Sequence, residues 1–130
     1  MGKAITTEGA PSAIGPYSQA ISVGNTVWLS GQIALDPASM ELVGSTAEDQ
    51  TRQIIKNMNA VLEAAGATFE DLVFCTIFLA NMNDFDAVNT VYGQFMPTPA
   101  PARATVEVSR LPKDARVEIS AVACIGDSTA

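Results

Sequence analysis

The stretch STAEDQTRQIIKNMNAVLEAAG, residues 45–66, dictates most of what the chain can become. Ser45 with Glu48 makes a capping box, and Thr46 with Asp49 offers a second register one residue on. Ile54, Met58, Val61, Leu62 and Ala65 follow at helical spacing, and Gly66 stands where a stop is needed. The spacing predicts a helix over 47–65 with one apolar stripe, which must bury itself against another layer. The flanking sequence supplies a sheet. Ile5 to Thr7 starts a short strand, and Ala20–Val23 and Thr26–Ser30 are β-prone runs joined by Gly24-Asn25, a hairpin signal. Leu72 to Leu79 is a continuous apolar run of the kind covered on both faces. A second helix capped by Asn83 or Asp84 carries Phe85, Val88, Tyr92 and Phe95 and ends before Pro97, Pro99 and Pro101. Arg103–Val108 and Arg116–Cys124 close the chain as strands. The order β-β-β-α-β-α-β-β predicts an α+β fold, one domain over residues 1–130, with both helices on one face of a mixed sheet. The other face is left bare. In a chain with 48% hydrophobic and 16% charged residues, this predicts oligomerisation through that face.

A net charge of −7 argues against a general nucleic-acid binder, which needs clustered cations to displace counterions from phosphates. Four of the seven cations, Arg103, Arg110, Lys113 and Arg116, do fall close together, so a local basic patch is one reading to test. Cys75 and Cys124 lie in apolar strand runs and read as reduced core thiols, which points to a reducing compartment. There is no secretory pattern, and the longest apolar run, Leu72 to Ala80, is far short of the roughly 20 residues that span a bilayer. A soluble, cytoplasmic protein is expected. Histidine is absent altogether. That removes Ser-His-Asp and Cys-His catalysis and the commonest ligand of transition metals. No glycine-rich nucleotide fingerprint occurs either. Chemistry here must run on carboxylates, arginine, hydroxyls, backbone amides and water, with no metal and no cofactor.

The stretch PARATVEVSRLPKD, residues 101–114, contains an arginine that a half-buried strand does not need. If the last two strands form a hairpin with Val108 opposite Ala115, Thr105 faces Glu118 and Arg103 faces Ser120. An arginine, a carboxylate and two hydroxyls then share one side, opposite Ala104, Val106, Val117 and Ile119. Two readings stay open: a cross-strand Arg–Glu pair that steadies the sheet, or an anion clamp beside a water-activating carboxylate. Tyr17, in IGPYSQ, reads by default as a loop anchor and Asn89 as a solvated helix residue. Gly31 offers backbone with no side chain in the way.

The motifs IGPYSQA, LSGQI, NMNAVLEAAG, NDFDAVNTVY and PARATVEVSRLPKDARVEI occur in this order from Lys3 to Ile125. Together they resemble the RidA/YjgF family, the reactive-intermediate deaminases, also called L-PSP or translation-inhibitor proteins. The resemblance implies a chorismate-mutase-like fold, a six-stranded sheet with two helices, and a homotrimer with clefts between subunits. It implies hydrolysis of enamine and imine intermediates, such as 2-aminoacrylate released by pyridoxal-phosphate enzymes, to 2-keto acids and ammonia. Carried over by motif, Arg103 is the substrate-carboxylate arginine and Glu118 positions the attacking water. Tyr17, Ser30, Gly31 and Asn89 match substrate-binding positions, and Thr105 stands in the cleft where many members carry cysteine. The segment FMPTPAPAR is also shorter than the usual loop. Two rival functions remain: a protein that binds or senses 2-keto acids through Arg103 alone, and an endoribonuclease or translation inhibitor.

Overall fold

The computed structural model describes residues 2–126. The elements follow the expected order: β1 (Lys3–Ile5), β2 (Ala20–Val23), β3 (Thr26–Gln32), α1 (Ala47–Ala64), β4 (Leu72–Leu79), α2 (Phe85–Phe95), β5 (Ala102–Glu107) and β6 (Val117–Cys124). Helix α1 uses the second capping register: Thr46 accepts from Asp49 N–H at 3.1 Å. Gly66, at φ 78°, takes the left-handed position after its C-terminus. Helix α2 has no side-chain cap. A single 3₁₀ turn, Met82–Asp84, precedes it, and Asn81 caps that turn instead.

The six strands form one mixed sheet in the order β1-β2-β3-β6-β4-β5. One expectation fails here. The last two strands are not a hairpin, because β4 lies between them, parallel to β5 and antiparallel to β6. Helix α2 is the crossover that a parallel pair requires. The register sets Cys75 beside Arg103 and Ala121, and Phe78 beside Glu118 and Val106. Paired residues share a face. Arg103 and Thr105 therefore lie with Val117 and Ile119 on the helix side, while Glu118 and Ser120 lie on the bare side. The predicted four-residue patch does not exist within one chain.

The core fills the space between the helices and one side of the sheet. Ile54, Met58, Val61 and Leu62 of α1 and Val88 of α2 meet Val27, Ile77, Leu79, Val117 and Ile119, all at most 2% exposed. Full burial of each such side chain is worth roughly 1.5–3 kcal/mol, which is what fixes the sheet under the helices. The opposite face has no cover. Trp28 is 56% exposed, Val73 48%, Val106 42% and Phe74 39%. Strand β4, read as covered on both sides, is thus covered on one within a single chain. Both cysteines are free, but Cys124 is exposed rather than buried, because it alternates with Glu118, Ser120 and Val122 onto the bare face of the sheet while its neighbour Ala123 faces the helices. Among the described residues no helix is long and apolar enough to cross a membrane.

Candidate active site

The residues singled out from the sequence fall into two groups on opposite faces of the sheet. On the helix side, Arg103 rises from edge strand β5 towards α2. Its Nη1 donates to Asn89 Oδ1 at 2.6 Å, and its guanidinium carbon lies 5.1 Å from the Tyr92 ring centre and 5.7 Å from that of Phe85. Phe85, Asn89 and Tyr92 follow at i, i+4 and i+7, so α2 presents them as one row. An aromatic surface attracts the cation, and one amide oxygen fixes its rotation. Only one edge of the guanidinium is committed to Asn89, leaving further N–H donors. These groups border an open hollow of about 590 Å³ lined by Asn89, Tyr92, Gly93, Met96 and Arg103 among others.

Three unusual polar groups share the helix side of the sheet with Arg103. The Tyr92 hydroxyl is buried beside the Cys75 thiol with no hydrogen bond of ordinary geometry. Burial, and then the neighbouring thiol, push its titration well above the usual phenol range. Burial likewise raises the Cys75 thiol, with Tyr92 and Arg103 pulling the other way. Thr105, two residues along β5 on the same face as Arg103, has its Oγ1 buried without a partner. An unmet buried hydroxyl costs about 1–3 kcal/mol, a cost that a bound polar group can remove.

The second group gathers at a β-bulge. Leu29 pairs with Ala121 and Gln32 with Ile119, so Ser30 and Gly31 together oppose Ser120. Bulges re-aim side chains and are common beside active sites. Here the bulge brings the bare backbone of Gly31 against Glu118. A Cβ built on Gly31 would meet the Glu118 carboxylate, with Cδ at 2.9 Å. The glycine makes room for the acid. Glu118, Gly31 and Tyr17 line one pocket of about 370 Å³, closed by Pro11, Ile14 and the turn at Pro112 and Lys113. Burial raises the Glu118 carboxyl above its ordinary range, and no cation stands at salt-bridge distance from it among the described residues. Tyr17 is 53% exposed, and its hydroxyl accepts from Ile14 N–H at 3.2 Å, leaving its own proton free to donate. The Ser30 hydroxyl is committed as a donor to Ser18 O at 2.6 Å.

The structure thus brings Tyr17, Gly31 and Glu118 together, with Ser30 behind them, and Asn89 together with Arg103; it does not join the groups. Arg103 and Glu118 are not a sheet salt bridge. The spacing placed Phe85 and Tyr92 with Val88 and Phe95 on the second helix without revealing their grip on Arg103. The signal was a lone asparagine inside an aromatic row at helical spacing. The clustered cations also disperse: Arg110 pairs with Asp114 at 2.7 Å, and Arg116 donates to Ser45 O at 3.0 Å and lies 3.6 Å from Asp84.

Comparison with known proteins agrees with the motifs. The family model described as endoribonuclease L-PSP matches residues 7–125. The human 2-iminobutanoate/2-iminopropanoate deaminase is 46% identical over 127 residues, covering 98% of this chain and 93% of that protein. The crystal structure of RidA from an Antarctic Psychrobacter superposes with a TM-score of 0.91 at 42% identity, covering 95% of this chain and 99% of the other. The structure of E. coli TdcF with bound serine gives 0.90 at 40% identity, covering 95% and 99%. A clamped guanidinium on α2, a carboxylate packed on a bulge glycine and full-length kinship all point one way: the chain belongs to the RidA/YjgF family of L-PSP proteins.

Proposed function

We propose that the chain hydrolyses enamine and imine intermediates such as 2-aminoacrylate to 2-keto acids and ammonia, in clefts between subunits of a homotrimer. The enamine takes a proton at its terminal carbon to become the protonated imine. Water adds to the carbon of the protonated imine as Glu118 accepts one of its protons. Glu118 then returns that proton to the carbinolamine nitrogen, and ammonia leaves as the hydroxyl gives its proton to solvent and becomes the keto carbonyl. Arg103 binds the substrate carboxylate with the N–H groups that Asn89 does not use. Thr105 Oγ1 and the Gly31 backbone are the further polar groups we assign to substrate binding, and the free Tyr17 proton is available to the leaving or adding group. No step asks for a metal or cofactor. Inside the cell, a reducing cytoplasm suits two free thiols.

The observation that carries this reading is the placement of Glu118. A half-buried carboxylate packed on the Gly31 backbone, its titration raised by burial and with no cation at salt-bridge distance among the described residues, is placed to accept a proton from water. A site built only to bind carboxylates has no use for an anion there, which disfavours the keto-acid sensor. Dispersal of the cations disfavours an RNA-binding nuclease. Because Arg103 and Glu118 occupy opposite faces of one sheet, a substrate that touches both must lie between two copies. The exposed apolar face with Trp28, Phe74 and Val106 is the surface we assign to that assembly.

Mixing two dead variants tests all of this. Arg103→Ala and Glu118→Ala proteins, unfolded together and refolded at equal amounts, should regain about one quarter of wild-type ammonia release, because half of the subunits keep each residue and assembly is random. No recovery in mixed trimers would place both residues in one chain's site and overturn the intersubunit reading. Full activity of either variant alone would remove the residue from the chemistry. Cleavage of RNA by purified wild type, abolished in Arg103→Ala, would favour the nuclease.

A further inference from the structure

Residues 6–19 carry Tyr17 to the Glu118 pocket without a helix or strand of their own. Buried loop backbone must find hydrogen bonds elsewhere. One side chain supplies most of them. Gln19 is 4% exposed; its Oε1 accepts from Thr7 N–H at 2.7 Å, and its Nε2 donates to Thr7 O at 3.0 Å, Ala10 O at 3.2 Å and Pro11 O at 2.7 Å. Two amide hydrogens serve three carbonyls, so one bond is shared. From the other side β3 holds the loop's end: Ser30 N–H donates to Gln19 O at 3.0 Å and Ser30 Oγ to Ser18 O at 2.6 Å. Tyr17 sits between these two fastenings, next to Ser18. Gln19 is also part of the wall of the Glu118 pocket.

We propose that Gln19 is a positioning residue for the deaminase reaction, gathering the loop so that Tyr17 stands against the Glu118 pocket. This rests on the function proposed above. Gln19 has no proton to give at neutral pH and acts only through the loop it holds.

Gln19→Glu tests it with the shape unchanged. The substitution turns the Nε2 donor into an oxygen facing three carbonyls, and a protonated carboxyl restores one donor. Expected at neutral pH are faster amide exchange at Thr7 and Ser30 and a fall in kcat/KM for 2-aminoacrylate of about 10- to 100-fold, mostly in kcat, the effect of misplacing a catalytic group by about 1 Å. Relative to wild type, activity per folded protein should recover as the pH is lowered, because the buried carboxyl takes up its proton. Gln19→Leu should show the deficit with no recovery. A purely structural role would lower the yield of folded protein without a pH-linked recovery in kcat. Unchanged exchange in Gln19→Glu, or raised exchange with kcat/KM within twofold of wild type, would overturn the proposal. Should Gln19→Glu fail to fold, Gln19→Met decides: it keeps the side chain's length, removes its bonds to Thr7, Ala10 and Pro11, and should lower kcat several-fold with faster exchange at Thr7, while unaltered kcat overturns the proposal. An inactive wild type sinks the deaminase reading and this role with it; an active wild type matched by Gln19→Glu sinks the role of Gln19 alone.

Discussion

Gly31→Ala isolates the one contact that sets the carboxylate of Glu118. The added methyl would lie 2.9 Å from Glu118 Cδ and 3.2 Å from Cγ, where ordinary contact begins at 3.4 Å. The carboxylate must therefore withdraw by about half an ångström or more, most of it at the tip of a flexible side chain. Turning that side chain off its rotamer costs about 1 kcal/mol, or roughly 4 °C in Tm for a domain of this size. The chemistry is less forgiving. Moving a proton acceptor by that distance away from its water should lower kcat/KM about 10- to 100-fold. The assay is ammonia or keto-acid release from 2-aminoacrylate generated in situ, beside a thermal melt. A second arm is decisive: in the inactive Glu118→Ala background the same Gly31→Ala change has nothing to push, and the melt should move by less than about 1 °C. Equal losses of Tm in both backgrounds would show that the glycine acts through its own backbone, and the reasoning would be refuted. A collapse of stability would refute it too.

Three further outcomes follow from the same geometry. Arg103→Lys loses the planar fork that Asn89 and the two rings hold, so kcat/KM should fall by about 10-fold or more, corresponding to roughly 1.5–3 kcal/mol of charge-assisted hydrogen bonding; steady-state kinetics on wild type and variant check this. Burial raises the Glu118 carboxyl above the ordinary 4.5, so the stability tied to its proton is full below that value and lost as pH rises through the raised one. Glu118→Gln should accordingly melt higher than wild type at neutral pH, lose that advantage in melts near pH 4, and show no deaminase activity at either. Trp28, the single tryptophan, stands 56% exposed in an isolated chain and reports on its covering. Native protein should emit at shorter wavelength than free tryptophan, and Phe74→Glu should shift emission to the red as sedimentation shows monomer.

The helices and strands were legible because periodicity and punctuation agree: the apolar stripe of α1, Gly66 after it, the prolines after α2. The strand order was not. Adjacent alternating runs separated by a turn suggest a hairpin, yet β4 had already taken the place beside β6, and a helix before β5 allows parallel pairing that no local pattern announces. That single error put Arg103 and Glu118 on one face. Buried polar residues on α1 also escaped the hydrophobic pattern. Asn57 is fully buried because its Nδ2 donates to Leu35 O at 2.9 Å, and Gln50 because it bridges Gly44 O and Arg116 N–H. Their partners are loop backbone, invisible to spacing. The site residues were legible as motifs, whereas the Gly31–Glu118 contact and the Gln19 bonds exist only once the bulge and loop are folded.

The bare side of the sheet bears on how damaged variants would come to notice. If the chain assembles as proposed, then before it does so it shows Trp28, Phe74 and Val106 to its surroundings, and such surface invites chaperones, proteases and its own kind indiscriminately. A charge placed there yields a soluble orphan. Milder trimming of those side chains keeps the surface sticky while slowing its burial, so its first symptom is scarcity of protein in the cell, with each surviving molecule working at its normal rate.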